Sequence, residues 1–348
     1  MDASVHPGIL KGMLSDVATG AAAARIRLLT RLGRSTWEIR TVRWYPLERG
    51  GDLGEVTNVA RYRGGPAATS AGIRDSSVRA PRLWGDRVAA GGRPTMRENR
   101  LRKIWQEGRT VVNGWLHVPS PFSAEVMAHA GWDGLTIDMQ HGPVDYKSLV
   151  SMLQAISTTE TVPIVRVPWN DPGLIMRVLD AGCYAVICPM INTSEEAEAF
   201  VGACRYPPEG YRSYGPYRAT LYGGQDYTDH ANETVVAMAM IETQQAIDNL
   251  DQILTVEGLD AVFVGPSDLG QSLGYGPGTD RDEPEVVEVI DRVLAAARER
   301  GLAAGIFTGS PEYASRMAGK GFQFVTISSD VRLMASAAAD AIAAFESE

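Results

Sequence analysis

The chain has 348 residues with a net charge of −9, 45% hydrophobic and 22% charged residues, the balance of a globular protein long enough for one large α/β domain and extra material. No apolar run approaches the roughly 18–20 residues that span a bilayer, which argues against a membrane helix. The three cysteines (Cys183, Cys188, Cys204) lack CxxC spacing; this speaks against a zinc knuckle or disulfide framework and for reduced thiols in a cytoplasmic protein. Charge is unevenly spread. Residues 1–95 hold 14 Arg and one Lys against eight acids, a surplus of seven positive charges, whereas the remainder holds 18 basic and 34 acidic residues. Phosphate binding needs clustered Lys and Arg, so the acidic body argues against a nucleic-acid groove.

Residues 1–95 are rich in Arg, Gly and Ala, with no sustained helical or alternating period and no secretory apolar segment. The expectation is a low-order, irregular and disordered extension. It reads as a basic arm, a small adaptor region, or upstream DNA translated from a misplaced start codon. The last is preferred, because Met96 opens an amphipathic segment (96–105) where regular patterning begins.

From residue 96 to 348, strand and helix patterns alternate. Strands are predicted at 114–118, 134–138, 163–167, 185–189, 235–241, 261–264, 303–307 and 324–327. Helices are predicted at 121–130, 146–157, 172–181, 194–204, 244–255, 283–300, 311–319 and 330–345. Eight such alternations in about 250 residues predict a parallel sheet closed as a (β/α)8 TIM barrel. The competing open sheet would carry a dinucleotide-binding glycine turn. Gly274-Tyr-Gly-Pro-Gly278 follows no strand and contains Pro277, so no NAD site is expected. The long connection from Arg205 to Asn232 carries Tyr206, Tyr211, Arg212, Tyr214, Tyr217 and Arg218. It reads either as a lid over a small anion or as an oligomer contact.

Barrel enzymes carry their chemistry on the loops after the strands. The second strand delivers Asp138, Gln140 and His141; the third, Arg166; the fifth, Glu242; the sixth, Asp268 in Val264-Gly-Pro-Ser-Asp-Leu269. Each alone has a bland reading: Glu242 as a helix cap, Asp268 as a first-turn acid favoured by the helix dipole, Arg166 as half of a structural ion pair, His141 as a satisfied structural histidine. Converging on one rim, they outweigh it. Glu242 and Asp268 suit a hard divalent ion, Mg²⁺ or Mn²⁺ and after them Co²⁺, which takes oxygen ligands. Imine chemistry needs a lysine inside the barrel. The body holds only Lys103, Lys147 and Lys320, one ahead of the first strand and two on outer helices, so neither a Schiff-base lysine nor PLP is expected.

Seven segments, Ile137-Asp-Met-Gln-His141, Val165-Arg-Val-Pro168, Leu179-Asp-Ala-Gly182, Arg205-Tyr-Pro-Pro-Glu-Gly210, Ile241-Glu-Thr243, Asn249-Leu-Asp251 and Val264-Gly-Pro-Ser-Asp-Leu269, resemble the HpcH/HpaI aldolase family of metal-dependent pyruvate aldolases. The resemblance spans residues 98–345. It implies a phosphoenolpyruvate/pyruvate-type barrel that reversibly cleaves a 4-hydroxy-2-oxo acid to pyruvate and an aldehyde, assembled as a trimer or hexamer. By position it implies metal binding by Glu242 and Asp268, and contact of Arg166 with the keto oxygen. The carboxylate would be received by the N–H groups of Ser267 and Asp268. His141 would be the base on the 4-hydroxyl, oriented by Asp138 or Asp180. Gln140 is expected to contact the substrate; the chain departs from the family there, where Glu is frequent, and at Met240, where Gln is common. Rival readings are oxaloacetate decarboxylation or macrophomate synthase-like chemistry on the same enolate and, more remotely, a non-catalytic binding barrel.

Overall fold

The computed structural model describes residues 25–31, 36–45, 54–63 and 96–347, and the chain divides into two units, Met1–Leu83 and Trp84–Glu348. In the first, β1 (Arg25–Arg31), β2 (Thr36–Tyr45) and β3 (Gly54–Arg63) form an antiparallel sheet in that order. The sequence pattern predicts no strand here. The signal is the alternation of Trp37, Ile39 and Thr41 with Glu38 and Arg40, concealed by the Arg-rich background. The rest of the expected irregular extension lies outside the described residues.

The second unit is the expected barrel. Strands β4 (Val111–Leu116), β5 (Gly134–Asp138), β6 (Val162–Arg166), β7 (Ala185–Cys188), β8 (Val236–Ile241), β9 (Ala261–Val264), β10 (Ala303–Thr308) and β11 (Phe324–Ile327) are parallel, and β11 pairs back onto β4. The alternating side chains of a strand explain the two cores. In β5, Leu135 and Ile137 pack outward into the layer under the helices. Thr136 instead donates to Asn113 Oδ1 (3.2 Å) inside the barrel. Trp115, Ile164, Met238, Phe263 and Phe324 fill the interior. Each fully buried aliphatic or aromatic side chain contributes about 1.5–3 kcal/mol.

The helices are α1 (Arg100–Gln106), α2 (Pro121–Ala128), α3 (Tyr146–Ile156), α4 (Pro172–Asp180), α5 (Ser194–Cys204), α6 (Tyr217–Gly223), α7 (Tyr227–Thr234), α8 (Gln244–Asp248), α9 (Leu250–Ile253), α10 (Pro266–Ser272), α11 (Pro284–Glu299), α12 (Pro311–Lys320) and α13 (Asp330–Glu346). Their starts follow local chemistry: Ser120, Asp171 and Ser310 cap α2, α4 and α12 through their side chains, with proline next in each case. The single helix expected over 244–255 is broken at Asn249 into α8 and α9.

The stretch between α5 and β8 corrects the lid expectation. It leads from a helix into the next strand, so it lies at the N-terminal end of the barrel, opposite the strand ends that carry chemistry. It also contains α6 and α7. Arg205 donates to the Val235 carbonyl (3.1 Å) and pairs with Asp260 (2.7 Å). The buried Arg212 lies over the Tyr206 ring (4.4 Å) and pairs with Asp180 (2.8 Å). These aromatic and basic residues brace the base of the barrel. Among the described residues no helix is long and apolar enough to cross a membrane.

Candidate active site

Because all eight strands run the same way, their C-terminal ends share one rim. There a cavity of about 370 Å³ opens, lined by Trp115, His117, His141, Arg166, Met240, Glu242, Ser267 and Asp268, among others. Five of the residues expected from sequence, His141, Arg166, Glu242, Ser267 and Asp268, are therefore together.

Asp138 holds the arrangement from behind. Fully buried at the end of β5, it accepts from Arg166 Nε (2.9 Å) and Nη2 (2.5 Å), from Trp115 Nε1 (3.1 Å), and from the backbone N–H groups of Gln140 (2.9 Å) and His141 (3.3 Å). His117 Nε2 lies 2.9 Å from its Oδ2. Burial alone would raise this carboxyl. The hydrogen bonds from His117 and Arg166, the Arg166 charge and the Trp115 N–H outweigh it and hold Asp138 well below the usual carboxylate range. The bidentate pair fixes the Arg166 guanidinium, which also lies 4.9 Å from the Trp115 ring centroid.

Glu242 follows β8 and is nearly fully buried. Its Oε1 accepts from the Met190 N–H (2.8 Å). Met190 adopts φ = 55°, a left-handed conformation uncommon for a residue with a side chain and frequent where function stores strain. Burial pushes the Glu242 carboxyl up to about 7; the Met190 N–H opposes this, the charge of Asp268 adds to it, and Arg166 opposes it. A β-carbon on Gly265 would collide with Glu242 Oε2 and stand 3.1 Å from its β-carbon, so glycine here leaves the carboxylate its place. A buried Glu242 carboxyl with the Asp268 charge beside it, and space kept for it at Gly265, fits a divalent cation. Among the described residues no group of three or more His, Cys, Asp or Glu side chains converges as a metal site. The pair thus suits an ion that takes the rest of its ligands from water and substrate oxygens.

Two expected residues are placed elsewhere. Asp180 ends α4 at the base of the barrel, on Arg212, so within this chain it is not joined to His141. The Asp138 side chain likewise meets the His141 backbone and not its imidazole. Gln140 does not line the cavity, and its Oε1 is buried without a hydrogen-bond partner. Sequence reasoning missed His117 and Trp115, although both lie in or directly after the first barrel strand, where the strand-end rule would have found them. The body's three lysines sit apart from the cavity: Lys103 and Lys147 on α1 and α3, and Lys320 paired with Asp291 (2.7 Å) at the end of α12.

A sequence profile of the HpcH/HpaI aldolase/citrate lyase family matches residues 112–337. A hydroxypyruvate/pyruvate aldolase of Rhizorhabdus wittichii is 44% identical over 245 residues, 70% of this chain and 98% of that one. A 4-hydroxy-2-oxo-heptane-1,7-dioate aldolase of Escherichia coli is 39% identical over 250 residues, 71% of this chain and 94% of the other. The crystal structure of an HpcH/HpaI aldolase/citrate lyase family protein from Burkholderia cenocepacia superposes with a TM-score of 0.67 at 34% identity, covering 71% of this chain and 99% of that one. With the barrel and its carboxylate- and arginine-bearing rim, these matches place the chain in the HpcH/HpaI aldolase/citrate lyase family, as a carbon–carbon lyase of the aldolase type.

Proposed function

We propose that residues 96–348 form a class II aldolase that reversibly cleaves a 4-hydroxy-2-oxo acid to pyruvate and an aldehyde. The observation that carries this reading is the meeting of Glu242, Asp268, Arg166 and His141 around one cavity. Glu242 and Asp268 would hold the divalent ion, Mg²⁺ or Mn²⁺ with Co²⁺ as a further candidate. Such an ion supplies Lewis-acid stabilisation of the negative charge that develops on the 2-oxo acid when C3–C4 breaks.

The chain's own residues do the rest. Arg166, held by Asp138, donates to the keto oxygen and strengthens that bond as the oxygen becomes enolate-like. The backbone N–H groups of Ser267 and Asp268, at the start of α10, receive the substrate carboxylate. His141 takes the proton from the 4-hydroxyl. Met240, where relatives commonly have Gln, makes this wall of the cavity apolar and bears on which aldehyde is accepted. The buried free thiols of Cys183, Cys188 and Cys204 fit a cytoplasmic setting. The apolar side chains Val331, Met334, Ile342 and Phe345, exposed along α13, support association into a homo-oligomer, as a trimer or hexamer.

The test supplies a 4-hydroxy-2-oxo acid and, in parallel, oxaloacetate, with Mg²⁺ or Mn²⁺, and measures pyruvate. Faster release from the hydroxy-oxo acid, abolished by excess EDTA, supports the aldolase reading. Preference for oxaloacetate reassigns the same enolate chemistry to decarboxylation, and full activity in EDTA rejects the metal mechanism.

A further inference from the structure

The reaction proposed above moves two protons, one from the 4-hydroxyl and one onto C3 of the enolate, yet sequence reasoning supplies only His141. The cavity holds a second imidazole. His117 lines it, and its Nε2 lies 2.9 Å from Asp138 Oδ2. Its backbone is fixed twice: the N–H groups of His117 and Val118 donate to the two carboxylate oxygens of Asp330 (2.9 and 3.1 Å). It is also pressed against the turn that carries the other histidine, since a β-carbon on Gly142 would stand 3.2 Å from both His117 Cα and its carbonyl oxygen. A carboxylate that accepts from Nε2–H fixes the tautomer and leaves Nδ1 as the nitrogen that exchanges a proton. Of the two histidines in the mouth, His117 is the one whose imidazole has a carboxylate behind it.

We propose that His117, held by Asp138, is the acid–base residue for C3, while His141 serves the 4-hydroxyl; this rests on the aldolase reading. In cleavage, the C3–C4 bond breaks and its electron pair remains on the pyruvate fragment as enolate, with the hydroxyl proton on His141. His117, entering as imidazolium, gives its Nδ1 proton to C3; the new C–H bond completes the methyl group and His117 is left neutral. Water returns the proton held by His141 to His117, so the sum is hydroxy-oxo acid to pyruvate plus aldehyde. In the synthetic direction, neutral His117 removes a methyl proton.

The test is deuterium exchange into the pyruvate methyl group in D₂O with Mg²⁺ and no aldehyde, followed by proton NMR, with pyruvate affinity measured separately by calorimetry. His117→Gln retains an N–H donor for Asp138 and loses the proton-transfer group. Exchange is expected to fall by about 100-fold with pyruvate affinity kept. If His117→Gln does not fold, His117→Asn carries the same comparison. Exchange at the wild-type rate in the folded variant overturns the role. Parallel loss of pyruvate binding overturns it too, because His117 then only supports Asp138 and Arg166. A wild-type enzyme that cleaves the hydroxy-oxo acid without exchanging the methyl group overturns the His117 role alone; one that does neither overturns the aldolase reading with it.

Discussion

Glu242 keeps its place because Gly265 has no side chain: a β-carbon there would collide with Oε2 and stand 2.9 Å from the Met240 methyl. That contact lies between the ends of β8 and β9, so it turns a backbone choice into a property of the site. Gly265→Ala is expected to displace the carboxylate and weaken Mn²⁺ binding by about 10–100-fold, measured by calorimetric titration. An unchanged far-UV circular dichroism spectrum would separate this from unfolding, and wild-type Mn²⁺ affinity would reject the seat.

The paired acids are expected to be needed for turnover and not for folding. Glu242→Gln and Asp268→Asn should each reduce metal-dependent pyruvate release to the background rate while the melting temperature stays near that of the wild type. Removing the buried charge of Glu242, or the Asp268 charge that adds to its burial penalty, should stabilise the metal-free protein. Substantial turnover by either variant counts against the proposed ligands.

Asp138 sets an acid limit. Its folded-state pKa is depressed below the unfolded value of 3.8, so its contribution is fully present above that value and is lost as pH falls below it. Denaturation followed from pH 7 down to pH 2 should show a steep loss of stability below about pH 4, shallower in Asp138→Asn. The same variant leaves the Arg166 guanidinium buried without its carboxylate and should cost about 3–5 kcal/mol at neutral pH. Equal stability of variant and wild type in urea titrations would contradict the pairing.

Imine chemistry is open to a direct check. Lys103, Lys147 and Lys320 lie on helices outside the barrel, so borohydride added with pyruvate should leave protein mass and activity unchanged. A mass increase matching reduced pyruvate on any of these lysines would contradict this placement.

Periodicity in the sequence determined the barrel, because a strand buried on both faces and a helix buried on one leave distinct apolar patterns over many residues. The strand-end rule likewise found Asp138, His141, Arg166, Glu242 and Asp268, since polar residues that end an apolar strand are exceptional and local. Tertiary structure alone decided who meets whom. Asp138 and Arg166 were legible as neighbours on adjacent strands, but not the convergence of Trp115, His117 and two backbone N–H groups on one carboxylate, which depends on strand register. Asp180, credited by its motif with orienting His141, sits on Arg212 at the other end of the barrel, a distance set by the whole length of the strands. The Tyr- and Arg-rich connection reads equally as a lid or an oligomer contact because composition does not record which end of a barrel a loop occupies. The antiparallel sheet of β1, β2 and β3 was missed because Arg-rich strands are stabilised by their cross-strand partners, and those are not adjacent in sequence.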